Sequence, residues 1–208
     1  MNFATVALTK RQARDVASLS HAAGNMEDPA SLREIHVKIT DDYVQFGATN
    51  SRIVAVRRGT IGEFPEVSGS GIYSYSAKKL ARILRIAAQD KSRVTTTLAF
   101  GNGYLEVNGE NVGTIEFHDL KTSTGLSIDR LGNLVDTYFE HRFDMDESTM
   151  VPLPSFRLDL LTKLTASAGR NGTVGSFRHD VARPDRWYFI TPFKDSWKFV
   201  GAIMGIRL

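Results

Sequence analysis

The stretch "SAKKLARILRIAAQDKSR", residues 76–93, reads as a helix with two chemically opposed sides. Leu80, Ile83, Leu84 and Ala87 recur at helical spacing and make an apolar stripe. Lys78, Arg82, Arg85 and Gln89 follow spacings of four, three and four on the opposite side. The stretch carries six basic side chains and a single acid, Asp90. Ahead of it "IYSYS" (72–76) alternates as a strand. Behind it "RVTTTLAF", the turn "GNG", "YLEVNG", "ENVG" and "TIEFHDL" read as three antiparallel strands joined at Gly and Asn turns.

The same order of elements precedes this stretch. "FATVAL" (3–8) reads as a strand and 9–24 as a helix, with Thr9 suited to the N-cap and Gly24 to the stop. Ala13, Val16, Leu19 and Ala22 or Ala23 give its buried stripe. "EIHVKIT" (34–40) alternates as a half-buried strand, "YVQFGA" (43–48) pairs back as a hairpin, and "IVAVRR" (53–58) follows. Residues 59–71 form a loop with at most a short edge strand. The phrase returns a third time as the strand "MVPLP" (150–154) and a helix over 155–169. That helix is capped by Ser155, with Leu158, Leu161, Leu164 and Ala168 inward. Strands follow at 173–180, 186–193 and 197–208. Only the order of elements repeats, with no residue-level repeat. The expected class is α+β, with repeated strand–helix–strands units and helices packed on one face of antiparallel sheets. Three segments follow: a complete unit over 1–120, a connection over 121–149, and a shorter unit over 150–208. "KTSTG" (121–125) is the linker, and 126–147 reads either as a short helix or as two irregular strands.

Composition removes several classes of function. With no cysteine in 208 residues there is no disulfide framework and no thiolate metal site, which fits a reducing compartment. No apolar run approaches the roughly 20 residues of a membrane span. The N-terminus lacks the apolar core of a signal peptide. The expectation is a cytoplasmic protein that meets no membrane. Histidines 21, 36, 118, 141 and 179 show no ligand spacing, and "GSG" and "GNG" precede no Lys-Ser/Thr pair that would cradle a phosphate. The adjacent His179 and Asp180 would point to opposite faces of a strand. Asp144, Asp146 and Glu147 read as a solvated loop. No metal, cofactor or catalytic residue is expected, and the chain is not expected to be an enzyme. The net charge is only +3, yet each helix candidate carries an excess of bases over its one acid. The strands and loops are therefore acidic on balance, and positive charge is gathered on the helices.

Together these pieces resemble the DNA sliding clamps, the bacterial DNA polymerase III beta subunit and its phage relatives. In "YVQFGATNSRIVAVRR", the run Ala48, Thr49, Asn50, Ser51, Arg52, Ile53, Val54, Ala55 is similar to the family's Ala-Thr-Asp-Gly-x-Arg-Leu-Ala, with Asn for Asp and one residue fewer before the Arg. "GIYSYSAKKLARILRIA" resembles the strand and helix that open the second half of a clamp domain. The ending "FVGAIMGIRL" resembles the family's Met-Pro-Met-Arg-Leu terminus, matched at Met204, Arg207 and Leu208, with Gly205 for proline and Ile206 for methionine. The resemblance covers 1–120 as a middle domain and 150–208 as half of a last domain. Residues 121–149 do not match, and the family's Phe-Pro-Asp-Tyr segment is absent.

The resemblance implies a DNA-clamp-like fold and a processivity factor that encircles duplex DNA without sequence specificity and tethers a replicative polymerase. The alternative is a clamp-derived module that binds or competes for replication proteins without encircling DNA. It assigns Lys10, Arg14, Lys78, Lys79, Arg82, Arg85, Lys163 and Arg170 to DNA phosphates. A duplex carries one charge per roughly 1.7 Å of axis, so such a lining attracts it without reading bases. It assigns Thr49, Arg52, Ile53, Ala202, Met204 and Ile206 to a pocket for the apolar peptides of polymerase and other replication proteins. Family rings hold twelve helices. Three helices per chain imply a homo-oligomer of four; a fourth helix within 126–147 implies three. The trimer is preferred because phage clamps of this length are trimers, with a dimer or monomer left open.

Overall fold

The computed structural model describes residues 4–101, 103–118, 157–169, 176–180, 183–190 and 197–204. The first strand, β1 (Ala4–Thr9), runs directly into helix α1 (Lys10–Ser18). Thr9 caps that helix reciprocally: its Oγ1 accepts from the Gln12 N–H at 3.2 Å, and Gln12 Oε1 accepts from the Thr9 N–H at 2.9 Å. α1 is shorter than the sequence suggests, tightening into a 3-10 turn at Leu19–His21. Serine hydroxyls at this end donate to carbonyls of the preceding turn, Ser18 to Asp15 and Ser20 to Ala17, at 2.6 and 2.8 Å. Such bonds compete with regular helix.

Strands β2 (Glu34–Ile39), β3 (Tyr43–Thr49) and β4 (Ile53–Thr60) follow as a meander, then the short edge strand β5 (Glu66–Ser68). β6 (Gly71–Ser76) feeds helix α2 (Ala77–Gln89), followed by β7 (Thr95–Phe100), β8 (Tyr104–Val107) and β9 (Glu110–Thr114). The run expected to close this unit as one strand divides at the buried Ile115. Its second part, β10 (Glu116–His118), crosses to pair with β6. Gly113, at φ +136°, and an irregularity at Leu105/Glu106 let the chain turn there.

The two sheets exchange strands. β1 pairs with β7, the first strand after α2, whereas β6 pairs with β2, the first strand after α1. One sheet thus has the order β5-β1-β7-β8-β9, and the strand leading into each helix lies beside strands that follow the other helix. The helices pack side by side beneath this exchange. Val6, Leu8, Leu98 and Phe100 of one sheet meet Val37, Phe46 and Tyr73 of the other in one core with Ala13, Val16, Leu80 and Leu84. Tyr73 stacks on Phe100 at 4.7 Å and fastens the sheets together. Each fully buried large side chain contributes about 1.5–3 kcal/mol of transfer free energy.

α2 is rotated relative to the expected stripe. Ala77, Leu80, Ala81, Leu84 and Ala88 face inward, Ile83 and Ala87 are half-buried, and Ile86 is 62% exposed. Alanines on both helices permit a close approach, so Ala77, Ala81 and Ala88 share the seam with Leu80 and Leu84 while Ile86 is left outside it. The third helix differs similarly. α3 (Leu158–Ser167) starts from Arg157, and Ser155 lies outside the described residues. Leu160, Leu164 and Ala168 are buried, whereas Leu158 is 77% exposed and Leu161 half-buried. The expected strand at 150–154, the linker and 126–147 also lie outside the described residues.

The remaining strands, β11 (Ser176–Asp180), β12 (Arg183–Ile190) and β13 (Lys198–Met204), extend the second sheet. Its order is β10-β6-β2-β3-β4-β13-β12-β11. β13 pairs antiparallel with β4 from Lys198↔Arg58 to Ile203↔Ile53. Residues from the far end of the chain therefore complete a sheet begun before residue 40.

A buried polar cluster fixes this junction. Asp15 on α1 lies 4.0 Å from the Arg57 guanidinium on β4, and the Trp197 indole N–H donates to its other oxygen at 3.2 Å. Arg57 also donates to the Ala168 carbonyl at the end of α3 and lies over the Phe199 ring at 4.9 Å. Ser18 donates to the Ser167 carbonyl at 2.7 Å. Trp197 meets Phe46 and Phe64 edge-on. Gly169, at φ +69°, lies so close that a Cβ there would be 3.1 Å from Asp15 Oδ1. Burial drives the Asp15 carboxyl above its usual range, against the pull of Arg57 and the indole, and brings Arg57 down to about 10. Both ionised forms are thus costly in the folded state. Asp15's contribution to stability is greatest below its unfolded value of 3.8 and is lost as pH rises through the raised one. The pair specifies geometry more than it adds stability.

Asp15→Ala should therefore cost about 3–5 kcal/mol, because it strands a buried guanidinium. An Asp15→Leu/Arg57→Met double variant should recover most of that loss. Urea denaturation of the three proteins checks the pattern; additive losses in the double variant would show that the two groups act independently.

Candidate nucleic-acid interface

Among the described residues, exposed positive charge gathers on the outward side of α1 and α2. On α2, Lys78, Lys79, Arg82 and Arg85 are all exposed, opposite the Leu80–Leu84 seam. On α1, Arg11 and Arg14 are exposed and Lys10 is half-buried. Two of these arginines tie the helices together. Arg14 donates to the Ala88 carbonyl at the end of α2, and Arg85 donates to the Ser20 hydroxyl, both at 3.4 Å. A cation on terminal carbonyls also suits the negative end of a helix dipole. Among the described residues, Lys78, Lys79 and Arg82 have no ionic or hydrogen-bonding partner for their side-chain nitrogens.

The layer has a titratable neighbour. Partial burial, with Arg85 adding to it, holds the His21 imidazole below its usual range. At the far end of α2, Asp90 accepts from the Ser92 N–H and hydroxyl at 2.8 and 2.7 Å and lies 3.7 Å from Arg93. These bonds hold its carboxyl below the usual range. The one acid of the opening stretch is thus used to end the helix. Sequence reading passes over Arg11, whose exposure follows from its place beside the buried Gln12 and Ala13.

The third helix contributes less charge than its composition suggests. Arg157 makes two bonds to Asp159, at 3.0 and 2.9 Å, and Lys163 is half-buried. Arg170 lies outside the described residues.

The second group of expected site residues meets at the β3–β4 turn. Thr49 Oγ1 donates to the Ile53 carbonyl at 2.8 Å and accepts from the Ser51 N–H at 3.1 Å. Asn50 Oδ1 accepts from the N–H groups of Arg52 and Ile53. This polar lacing holds Ser51 at φ +70° and leaves Arg52 exposed. The end of β13 arrives beside the turn. Register puts Thr49, Val54 and Ala202 in one cross-strand row. It pairs Ile53 with Ile203 in the next row, on the opposite face, where both are buried. Thr49 and Ala202 are thus together and Ile53 apart from them. Val54, half-exposed between the first two, is signalled only by its alternation with Ile53. Met204 ends β13, and Ile206 lies outside the described residues.

No protein-family model and no curated protein matches the sequence. Solved structures do match. The DNA polymerase III beta subunit of Thermotoga maritima superposes with a TM-score of 0.62 at 10% identity, over 99% of this chain and 65% of that one. The beta sliding clamp of C. crescentus gives 0.63 at 10% identity, over 100% and 66%. The beta subunit of Streptococcus pyogenes gives 0.63 at 13%, over 98% and 66%. The chain has the sliding-clamp fold, and spans about two thirds of the length of these proteins.

A left-handed serine is strained where glycine is not. Ser51→Gly should raise stability by about 0.5–1 kcal/mol, read as a higher urea midpoint at unchanged slope. An unchanged midpoint would mean that the lacing of the turn already compensates the strain.

Proposed function

We propose that this chain is a sliding clamp-like processivity factor, not itself an enzyme, that encircles duplex DNA as a homo-oligomer and tethers a replicative polymerase. The observation that carries the reading is the exposed, unpartnered Lys78, Lys79 and Arg82 on the helical layer of a sliding-clamp fold. Phosphates are the one feature of DNA that every sequence shares. Cations without a base-reading partner attract the duplex and leave it free to move. Lys10, Arg14 and Arg85 extend the patch, the last two while also joining α1 to α2.

A partner peptide would dock at the end of the β3–β4–β13 sheet. Thr49, Val54 and Ala202 supply one row there, Arg52 a charged rim, and Met204 and Ile206 the adjoining chain. Ile53 would support that surface from behind. The chain would comprise a full unit over 1–120, a connection over 121–149 and a shorter unit over 150–208. Three copies would close the ring in the cytoplasm of a phage-infected cell.

Duplex binding should be independent of sequence, and log K should fall linearly with log salt at about 0.9 per phosphate neutralised. Reversing Lys78, Lys79 and Arg82 to Glu should lower affinity by at least about two orders of magnitude. The circular dichroism spectrum should not change. On nicked circular DNA the protein should be retained, and on linear DNA it should run off the ends. A strict monomer by light scattering, with equal retention on both DNAs, would replace the ring with a non-encircling interaction module.

A further inference from the structure

The third helix has the wrong chemistry for the role that its place in the layer suggests. Its exposed arginine is closed on itself. The guanidinium of Arg157 meets both oxygens of Asp159, Nε to Oδ1 at 3.0 Å and Nη2 to Oδ2 at 2.9 Å. That is the fork geometry with which an arginine would otherwise grasp a phosphate. Breaking so exposed a pair costs little. It would, however, leave the Asp159 carboxylate beside the phosphate, so no counter-charge is gained. Arg157 also holds that carboxyl below its usual range, which keeps it anionic.

The hydroxyls on this side are bonded to the helix's own carbonyls. Thr162 Oγ1 donates to the Leu158 carbonyl at 2.8 Å, and Thr165 Oγ1 to the Leu161 carbonyl at 3.0 Å. The most exposed large side chain here is the apolar Leu158. Lys163, half-buried, is the only cation of the helix itself. On α2, by contrast, Lys78, Lys79 and Arg82 extend into solvent with nothing to neutralise them.

We infer that, of the three described helices, the α1–α2 pair bears the duplex, and that α3 (Leu158–Ser167) turns to it a neutral surface that makes no phosphate contact. The inference rests on the reading of the helical layer as a DNA-facing surface. Each subunit then offers one adhesive patch and one inert stretch, so the duplex is held to one side of each subunit instead of evenly around it. Fewer phosphates are neutralised at once than a lining of equivalent helices would give, which lowers the electrostatic cost of moving along the helix axis.

The absence of cysteine makes the test clean, since one introduced thiol is unique. The full chain carrying Gln89→Cys on α2 or Thr162→Cys on α3, each labelled with a maleimide photo-crosslinker, is irradiated with duplex DNA. Position 89 should crosslink at least about ten times more strongly than position 162; equal yields overturn the inference. In parallel, Arg82→Glu should reduce the salt slope by about one, and Lys163→Glu should leave it unchanged. Loss of a unit of slope in the Lys163 variant likewise overturns it. If no labelled or unlabelled protein shifts duplex DNA in a gel at low salt, the DNA-facing reading itself has failed, and the inference falls with it.

Discussion

The Asp15–Arg57 contact is the constraint on which the arrangement of the chain depends. It joins a helix of the first unit to a central strand, and each group also bonds the far end of the chain, Asp15 to the Trp197 indole and Arg57 to the Ala168 carbonyl. The indole of Trp197 and the carbonyl of Ala168 are thereby held against α1 and β4. A purely apolar junction would tolerate sliding of α3 or β13, because dispersion has no direction. Two buried ionisable groups with fixed donors and acceptors do not tolerate it. Gly169 and Gly201 leave room for their neighbours: a side chain at 201 would collide with Leu164, and one at 169 would crowd the carboxylate.

That junction was not legible in the sequence, and the reason is physical. Asp15 is the one acid in a helical stretch otherwise rich in bases, Arg57 one of two adjacent arginines at the end of "IVAVRR", and neither pattern points to the other. Their meeting depends on residues 42 positions apart in the chain and on a tryptophan 182 positions from the acid. No local periodicity reports such a contact. The elements themselves were legible, because the alternation in β2 and the capping box at Thr9 are local signals. The strand exchange was not, since β1 leads into α1 yet pairs across to β7. Periodicity located the apolar side of α2 and α3 only to within about one helical position per turn. Leu158 and Ala87 illustrate the error: hydrophobic character favours burial, but the alanine seam decides which way a helix faces.

The charge pattern was read more securely than the individual contacts. Lys78, Lys79 and Arg82 are exposed because they lie opposite a well-defined seam. What the sequence concealed was how charges are spent. Arg14 and Arg85 hold helix ends together, Asp90 terminates α2, and Arg157 cancels Asp159. The number of basic residues on a helix therefore does not by itself set its attraction for a polyanion. The pocket residues show a related limit: Ile53 and Ala202 belong to adjacent paired strands, and only the register reveals that they face opposite ways.

The pairing of β4 with β13 has a consequence for the nascent protein on the ribosome. β4 is made early, and its partner emerges more than 130 residues later. At roughly 5–20 residues per second, that interval lasts on the order of ten seconds. Throughout it the edge of β4 that faces away from β3 presents unpaired backbone groups along Ile53–Arg58, flanked by apolar side chains, the kind of surface on which polypeptides coalesce. Arg57 and Arg58 lie within that strand, and Lys198 is at the register position across from Arg58. Like charges repel neighbouring copies, so the arginine that later locks the finished molecule would first act as a gatekeeper against its own aggregation.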